Sequence, residues 1–181
     1  MEFTIKEIEH ETVADMERID DVLRIDKILV VHTEEYRLVY TVEEIPPYEK
    51  RYPRDPVDYH TYVHHPDRAI FLAYAGDQVA GMIILRKNWN NYAYIEYVTV
   101  DSHFRGQGAG VLLMERGKEW AREKGLPGIM LETQNNNTRA CRLYERCGFV
   151  LGGFDRYLYK AVMPGTTEIA LYWYYLFESN P

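Results

Sequence analysis

The most informative segment of the chain is Val98-Thr99-Val100-Asp101-Ser102-His103-Phe104-Arg105-Gly106-Gln107-Gly108-Ala109-Gly110. It joins the end of a β-branched, strand-like run to the start of a helical pattern. Its glycines allow positive φ and a close approach of the backbone to a ligand. Main-chain N–H groups at the start of the helix then point at an anion, and the helix dipole adds to the attraction. The stretch therefore predicts a phosphate-binding turn that suits a pyrophosphate.

Two other phosphate-binding motifs do not fit this turn. A P-loop needs Gly-Lys-Ser/Thr, which is absent. A dinucleotide fingerprint needs Gly-x-Gly-x-x-Gly after the first strand, with an acid about 20 residues further on. The spacing here is Gly-x-Gly-x-Gly, deep inside the chain. For the glycines taken alone, a tight turn without a ligand remains the alternative.

The elements on both sides of the turn predict an α/β (α+β) fold with a mixed sheet and helices on its faces. Upstream, we predict a strand at 3–8, a helix at 14–25, extended segments at 28–33 and 36–43, a hairpin of 69–75 with 79–85, and a strand at 92–100. Downstream, we predict a helix at 108–124, a strand at 129–133, a helix at 137–147, and closing strands at 149–159 and 168–177. We expect one domain over residues 1–181.

Residues 46–66 differ in amino-acid composition from the rest of the chain. They hold five prolines, four tyrosines and three histidines. Proline restricts its own backbone and that of the preceding residue, so we predict a long loop here. A loop of this length in a small domain is usually functional or mobile.

Composition excludes several classes of protein. The net charge of −7 argues against a nucleic-acid partner. No apolar run approaches the roughly 20 residues of a membrane helix, and the first residues do not look like a secretory signal, so we expect a cytoplasmic protein. Cys141 and Cys147 are poorly placed for a disulfide and lack a histidine partner for zinc, so we expect no metal.

Charge is unevenly distributed along the chain. Residues 1–66 carry a net charge of −8, whereas residues 67–181 carry +1. We expect the acidic front half to recognise a cationic substrate. The candidate carboxylates are Glu34, Glu35, Asp55 and Asp58, and the candidate cation–π faces are Tyr48, Tyr52, Tyr59 and Tyr62. Ordinary solvated surface charge is the alternative.

The turn and a later segment together resemble one enzyme family. Residues 105–110 resemble the acetyl-CoA motif Arg/Gln-x-x-Gly-x-Gly/Ala of the GNAT superfamily of N-acetyltransferases, and residues 95–100 resemble its fourth strand. Residues 137–149 resemble its Asn-x-x-Ala-x-x-Leu-Tyr-x-x-x-Gly-Phe segment. Residues 92–149 would thus form an acetyl-CoA-binding core. The aromatic run at 169–177 adds a resemblance to the streptothricin acetyltransferases of Gram-positive bacteria.

The resemblance implies a GNAT fold with about six to seven strands and a role for each matching residue. Backbone groups of Val98, Thr99 and Val100 would pair with the pantetheine arm of acetyl-CoA. Amides of Arg105, Gly106, Gln107, Gly108, Ala109 and Gly110 would hold the pyrophosphate. Asn137 and Ala140 would contact the coenzyme, and Tyr144 would act as general acid, with a packed helix tyrosine as the alternative.

The implied reaction is acetylation of a primary amine on a small cationic molecule, first of all the β-lysine amine of streptothricin. A peptide or protein N-acetyltransferase and a catalytically inactive acyl-CoA sensor are the alternatives. A homodimer is also left open.

The general base is open between Glu96, Glu132 and an ordered water. Strand alternation puts Glu96 on the same sheet face as Val98, beside the expected thioester. The resemblance puts Glu132 at a fifth-strand position where related enzymes place a base. Either carboxylate has a structural ion pair as its alternative role.

Overall fold

The computed structural model describes residues 1–52, 54 and 56–178. In chain order, the strands are β1 (Thr4–Glu7), β2 (Leu23–Glu34), β3 (Arg37–Lys50), β4 (Arg68–Ala75), β5 (Gln78–Lys87), β6 (Ala93–Val100), β7 (Gly128–Gln134), β8 (Val150–Asp155) and β9 (Ala170–Leu176). The helices are α1 (Ala109–Glu123) and α2 (Thr138–Arg146). Short 3₁₀ segments lie at His10–Arg18, Tyr59–Tyr62, Ser102–Phe104 and Leu158–Lys160. Within this part of the chain, no helix has the length and apolar character needed to cross a membrane.

The chain divides into two compact units. The first contains residues 1–22 and 51–129, and it includes the strand order β1-β4-β5-β6 with antiparallel neighbours. One face of this sheet packs on α1, because Gly117 lies against Ile83 and Leu85. The other face forms an apolar cluster with the 3₁₀ segments, and this cluster contains Met16, Tyr62 and Ile84. Burial of each such aliphatic side chain stabilises the fold by about 1.5–3 kcal/mol.

The second unit contains residues 23–50 and 130–176. It holds the β2–β3 hairpin, α2, and the strands β7, β9 and β8 in that order. The hairpin turns through Glu35 and Tyr36, both with positive φ (45° and 66°), which is the two-residue turn whose twist matches antiparallel strands. The ring of Trp173 is buried and lies 6.1 Å from that of Tyr144, centroid to centroid.

Most of the predicted elements are present at nearly the predicted positions. The 69–75 and 79–85 hairpin is β4–β5, the 108–124 helix is α1 and the 137–147 helix is α2. The described residues supply seven sheet strands besides the β2–β3 hairpin, as predicted. The two helices and the hairpin have local signals, namely glycine stops and short turns, which explains why the sequence predicts them well.

Two predicted elements are wrong in type or extent. In place of a helix at 14–25, the chain forms 3₁₀ turns up to Arg18, and β2 begins at Leu23. The strand predicted at 149–159 ends at Asp155, where a 3₁₀ turn follows. In the first case pairing of Ile25 with Tyr48 in the hairpin outweighs the helical spacing of apolar residues.

The loop predicted at 46–66 is also partly wrong, because β3 continues to Lys50. The register jumps from Ile25↔Tyr48 to Lys27↔Glu44, so Pro46 and Pro47 fall in a bulge. A proline in a bulge removes no ladder hydrogen bond, which explains how a strand passes through this pair.

Candidate active site

The glycine-rich turn has the backbone geometry that its sequence predicts. Gly106 and Gly108 have φ of 76° and 101°, and Gly108 is the N-cap residue of α1. A Cβ at either position would meet nothing within 4 Å, so the space outside the turn is open. The first N–H groups of a helix have no acceptor within the helix. The turn can therefore offer main-chain donors to an anion.

The side chain of Arg105 holds this turn in place from within the first unit. Its Nε donates to the carbonyl of Val100 (3.0 Å) and its Nη1 to the carbonyl of Val22 (2.6 Å). The motif arginine thus binds main-chain carbonyls, and any contact with a phosphate would come from its amide. Sequence reasoning did not identify Val22 as a partner, because the two residues are 83 positions apart.

Asp101 is a second anchor of the turn that sequence reasoning missed. Its carboxylate accepts hydrogen bonds from the amides of Asp20 (2.8 Å) and His103 (2.9 Å). Burial opposes ionisation of Asp101, yet these hydrogen bonds hold its pKa below the ordinary value. An aspartate directly before a short 3₁₀ turn is a capping signal, and that signal was available in the sequence.

Glu96 does not share a sheet face with Val98, contrary to the prediction. Ile84 pairs with Tyr97 and Leu85 with Ile95, so Glu96 is an extra residue in a bulge on β6. Val98 pairs with Ile83, which faces α1. Glu96 instead reaches Tyr62, on the opposite face. Each bulge residue reverses the alternation that the prediction assumed.

Both carboxylate oxygens of Glu96 accept hydrogen bonds from side chains. The hydroxyl of Tyr62 donates to Oε2 (2.6 Å), and Nε of Arg86 donates to Oε1 (3.0 Å). This is the structural ion pair that the sequence left open as the alternative role of Glu96.

Glu132 lies in a different environment, on β7 in the second unit. The hydroxyl of Tyr159 donates to its Oε1. Burial raises the pKa of Glu132 to about 7. Burial also raises the pKa of Tyr172, with further contributions from Glu132 and Asp155, which places these groups near one another. A carboxyl group with this pKa can exchange a proton at neutral pH.

Tyr144 and Asn137 both have defined structural contacts on α2. Tyr144 is buried, and its ring centroid lies 6.2 Å from that of Phe149. Asn137 is the N-cap residue, and its Oδ1 accepts a hydrogen bond from the amide of Ala140 (3.4 Å). These contacts fit the packed-tyrosine interpretation of Tyr144, and they show why α2 begins where it does.

Two asparagines that precede α2 fix the hairpin within the second unit. The side chain of Asn135 donates to the carbonyl of Leu29 (3.0 Å) and accepts from the amide of Ile169 (3.1 Å). Asn136 donates to the hydroxyl of Tyr48 (2.9 Å). Tyr48, a predicted cation–π face, is thus a partner of Asn136. Buried amides require such partners, so the run of three asparagines was a usable signal.

The other predicted substrate residues are distributed over both units. Glu34 and Glu35 lie at the exposed end of the hairpin. Asp58 caps the Tyr59–Tyr62 turn by accepting from the amide of His60 (3.0 Å). Asp55 lies outside the described residues. Among the residues that the structure describes, no group of three or more metal-binding side chains comes together.

Comparison with known proteins identifies the class to which this fold and turn belong. The model of the acetyltransferase (GNAT) family matches residues 32–149, which is more than half of the chain. The chain belongs to this family. The predicted GNAT fold, the predicted enzyme class of N-acetyltransferase and the predicted acetyl-CoA cosubstrate are confirmed at the level of the family.

Individual proteins with high sequence identity to this chain are also known. Streptothricin acetyltransferase A of Bacillus subtilis (strain 168) is 41% identical over 139 residues, which covers 76% of this chain and 79% of that protein. Streptothricin acetyltransferase of Escherichia coli is 36% identical over 149 residues, with 82% of each chain covered. A protein of Bacillus anthracis str. Ames, whose crystal structure is a complex with acetyl coenzyme A, has 44% sequence identity to this chain. The two structures superpose with a TM-score of 0.90 over 98% of this chain and 99% of that one.

Proposed function

We propose that this N-acetyltransferase transfers the acetyl group of acetyl-CoA to a primary amine of a small cationic molecule, and first of all to the β-lysine amine of streptothricin. The choice of streptothricin as substrate is supported by the 41% identity with a streptothricin acetyltransferase over 76% of the chain. Acetylation would remove a positive charge from the antibiotic and so confer resistance.

In the first unit, the turn is the proposed site for the pyrophosphate of the coenzyme. The open space outside Gly106 and Gly108, and the donors at the start of α1, support a fit with an anion. Backbone groups of residues 98–100 would bind the pantetheine arm. In the second unit, Asn137 and Ala140 would contact the coenzyme. When bound, the coenzyme supplies the acetyl thioester.

We assign the role of general base to Glu132. A lysine-like ammonium group has a pKa near 10.4, so roughly one molecule in a thousand is neutral near pH 7. The amine therefore needs an acceptor for its proton as its nitrogen attacks the thioester carbon. The pKa of about 7 for Glu132 supports this role. Glu96 is the weaker candidate, because Tyr62 and Arg86 occupy both of its oxygens.

We assign the role of general acid to Tyr144. A phenol with a pKa near 10 stays protonated at neutral pH and can donate its proton to the leaving thiolate. Packing against Phe149 and Trp173 would hold the ring in one orientation. The C–N bond forms and the C–S bond breaks, while the proton lost by the amine goes to the base.

An amine panel tests the substrate. The purified protein is incubated with acetyl-CoA and a thiol-detecting reagent, together with streptothricin, aminoglycosides, polyamines or lysine peptides. We expect thiol release with streptothricin, and mass spectrometry to place the acetyl group on the β-lysine part. Thiol release with peptides alone would favour the peptide N-acetyltransferase. Calorimetric binding of acetyl-CoA without any turnover would favour the acyl-CoA sensor.

A further inference from the structure

Tyr159 is a buried residue in an otherwise exposed segment. Only 8% of its surface is exposed, whereas the side chains of Tyr157 and Val162 are 72% and 75% exposed. A tyrosine ring can be buried at low cost when its hydroxyl finds a partner. Here that partner is Oε1 of Glu132, to which the hydroxyl donates.

The backbone on both sides of Tyr159 is held by hydrogen bonds. Before it, the carboxylate of Asp155 accepts from the amides of Tyr157 (2.7 Å) and Leu158 (3.1 Å). After it, the amide of Met163 donates to the carbonyl of Tyr159 (2.8 Å). These hydrogen bonds fix the 3₁₀ turn that follows β8, and the fixed turn orients the hydroxyl of Tyr159 towards the carboxylate of Glu132.

Two tyrosines from different elements interact with Glu132. Tyr159 lies on the 3₁₀ turn, while Tyr172 on β9 has electrostatic contributions from Glu132, from Asp155 on β8 and from Tyr174. Both partners of Glu132 are therefore phenols. Glu96 differs, because a guanidinium group accompanies its phenol partner.

We propose that Tyr159 is a positioning residue for the general base, which it holds through Oε1 so that Oε2 is presented to the substrate ammonium group. This inference rests on the proposed function, in which Glu132 is the base. The proton moves from the ammonium nitrogen to Oε2, and the nitrogen lone pair forms the new C–N bond. The electrons of the C–S bond leave on sulfur, which Tyr144 protonates.

The hydrogen bond has a defined effect on proton affinity. A donor to a carboxylate favours its ionised form, so its removal raises the pKa of the carboxyl group. Tyr159→Phe keeps the ring and deletes the hydroxyl. We expect the acidic limb of the kcat/KM profile to move to higher pH by about one unit, with the KM for acetyl-CoA unchanged.

Tyr157→Phe is the matched control, because it deletes an exposed hydroxyl two residues away. We expect its pH profile to superimpose on that of the wild type. Circular dichroism and thermal unfolding verify that both variants fold. Carbon-13 NMR of the glutamate carboxyl groups, with Glu132→Gln to assign the resonance, gives the pKa of Glu132 without any need for turnover. We expect that pKa to rise in Tyr159→Phe.

Two results would overturn the inference. One is a Tyr159→Phe enzyme whose pH profile and Glu132 titration both match the wild type, since Tyr159 would then only pack. The other is a Glu132→Gln enzyme with full activity, since no base would remain to be positioned. If the wild type releases no thiol with any amine, the proposed function is wrong instead. The NMR titration would still test the hydrogen bond between Tyr159 and Glu132.

Discussion

Glu96 and Glu132 are both strand carboxylates that accept a hydrogen bond from a tyrosine, and their surroundings nevertheless differ. Glu96 has a guanidinium group as its second partner, and its side chain is 29% exposed. Glu132 is desolvated, and burial raises its pKa to about 7. The environment of a carboxyl group, rather than its residue type or strand position, thus sets its pKa and the chemistry open to it.

Replacing each carboxylate by glutamine should distinguish the two by their contribution to turnover. Glu132→Gln should lower kcat by about a thousandfold, because loss of a general base costs about 10²–10⁴ in rate. Glu96→Gln should lower kcat by less than about tenfold, since it removes an ion pair and no proton acceptor. Steady-state kinetics with saturating acetyl-CoA measures both. A larger loss in Glu96→Gln would reverse our assignment.

The second effect concerns the pH dependence of the wild type. Glu132 accepts a proton only when ionised, and its pKa is about 7. Below that value kcat/KM should fall about tenfold per pH unit, so that about a hundredfold is lost between pH 7 and pH 5. The measurement is a pH series with a fixed amine, and Glu96→Gln should keep the same limb. A limb near pH 4.5 would indicate an ordinary carboxyl group.

The third effect concerns stability, and it is visible without substrate. The pKa of Glu132 is raised from 4.5 to about 7 on folding, so the folded state binds the proton more tightly. The contribution of Glu132 to stability is therefore present below pH 4.5 and lost as pH rises through 7. Relative to Glu132→Gln, the wild type should lose about 3 kcal/mol of unfolding free energy over this range. Urea unfolding at several pH values measures this difference, and parallel curves would contradict it.

The smallest effect sharpens the structural role of Glu96. Arg86→Met removes the guanidinium group, which is partly exposed, so we expect a loss of about 1 kcal/mol in unfolding free energy. The kcat of the variant should stay close to that of the wild type. Chemical denaturation measures the change in unfolding free energy, and steady-state kinetics measures kcat. A large fall in kcat with normal stability would give the Glu96–Arg86 pair a catalytic role.

Local features were predicted well from sequence. Positive φ at Gly106 and Gly108 is a property of glycine itself, so the strand-turn-helix junction follows from a few adjacent residues. Gly148 likewise marks the end of α2, with φ of 82°. The family follows from two such segments in the right order.

Features that depend on pairing were predicted poorly. The sheet face predicted for Glu96 was wrong. Glu96 is a bulge residue, and only the pairing of β5 with β6 reveals the bulge. The predicted helix at 14–25 is wrong because its last residues, Leu23 to Ile25, belong to β2, where pairing with β3 decides their conformation.

Local sequence was sufficient for the geometry of the glycine-rich turn, the ends of α1 and α2, and the family, since short-range backbone preferences and residue spacing set all three. Which carboxyl group has a raised pKa and which forms an ion pair depends instead on tertiary packing. Tyr159 and Glu132 are 27 residues apart, and Tyr62 and Glu96 are 34 apart. Burial and hydrogen bonding between such distant residues arise from packing, and no local pattern in the chain encodes them.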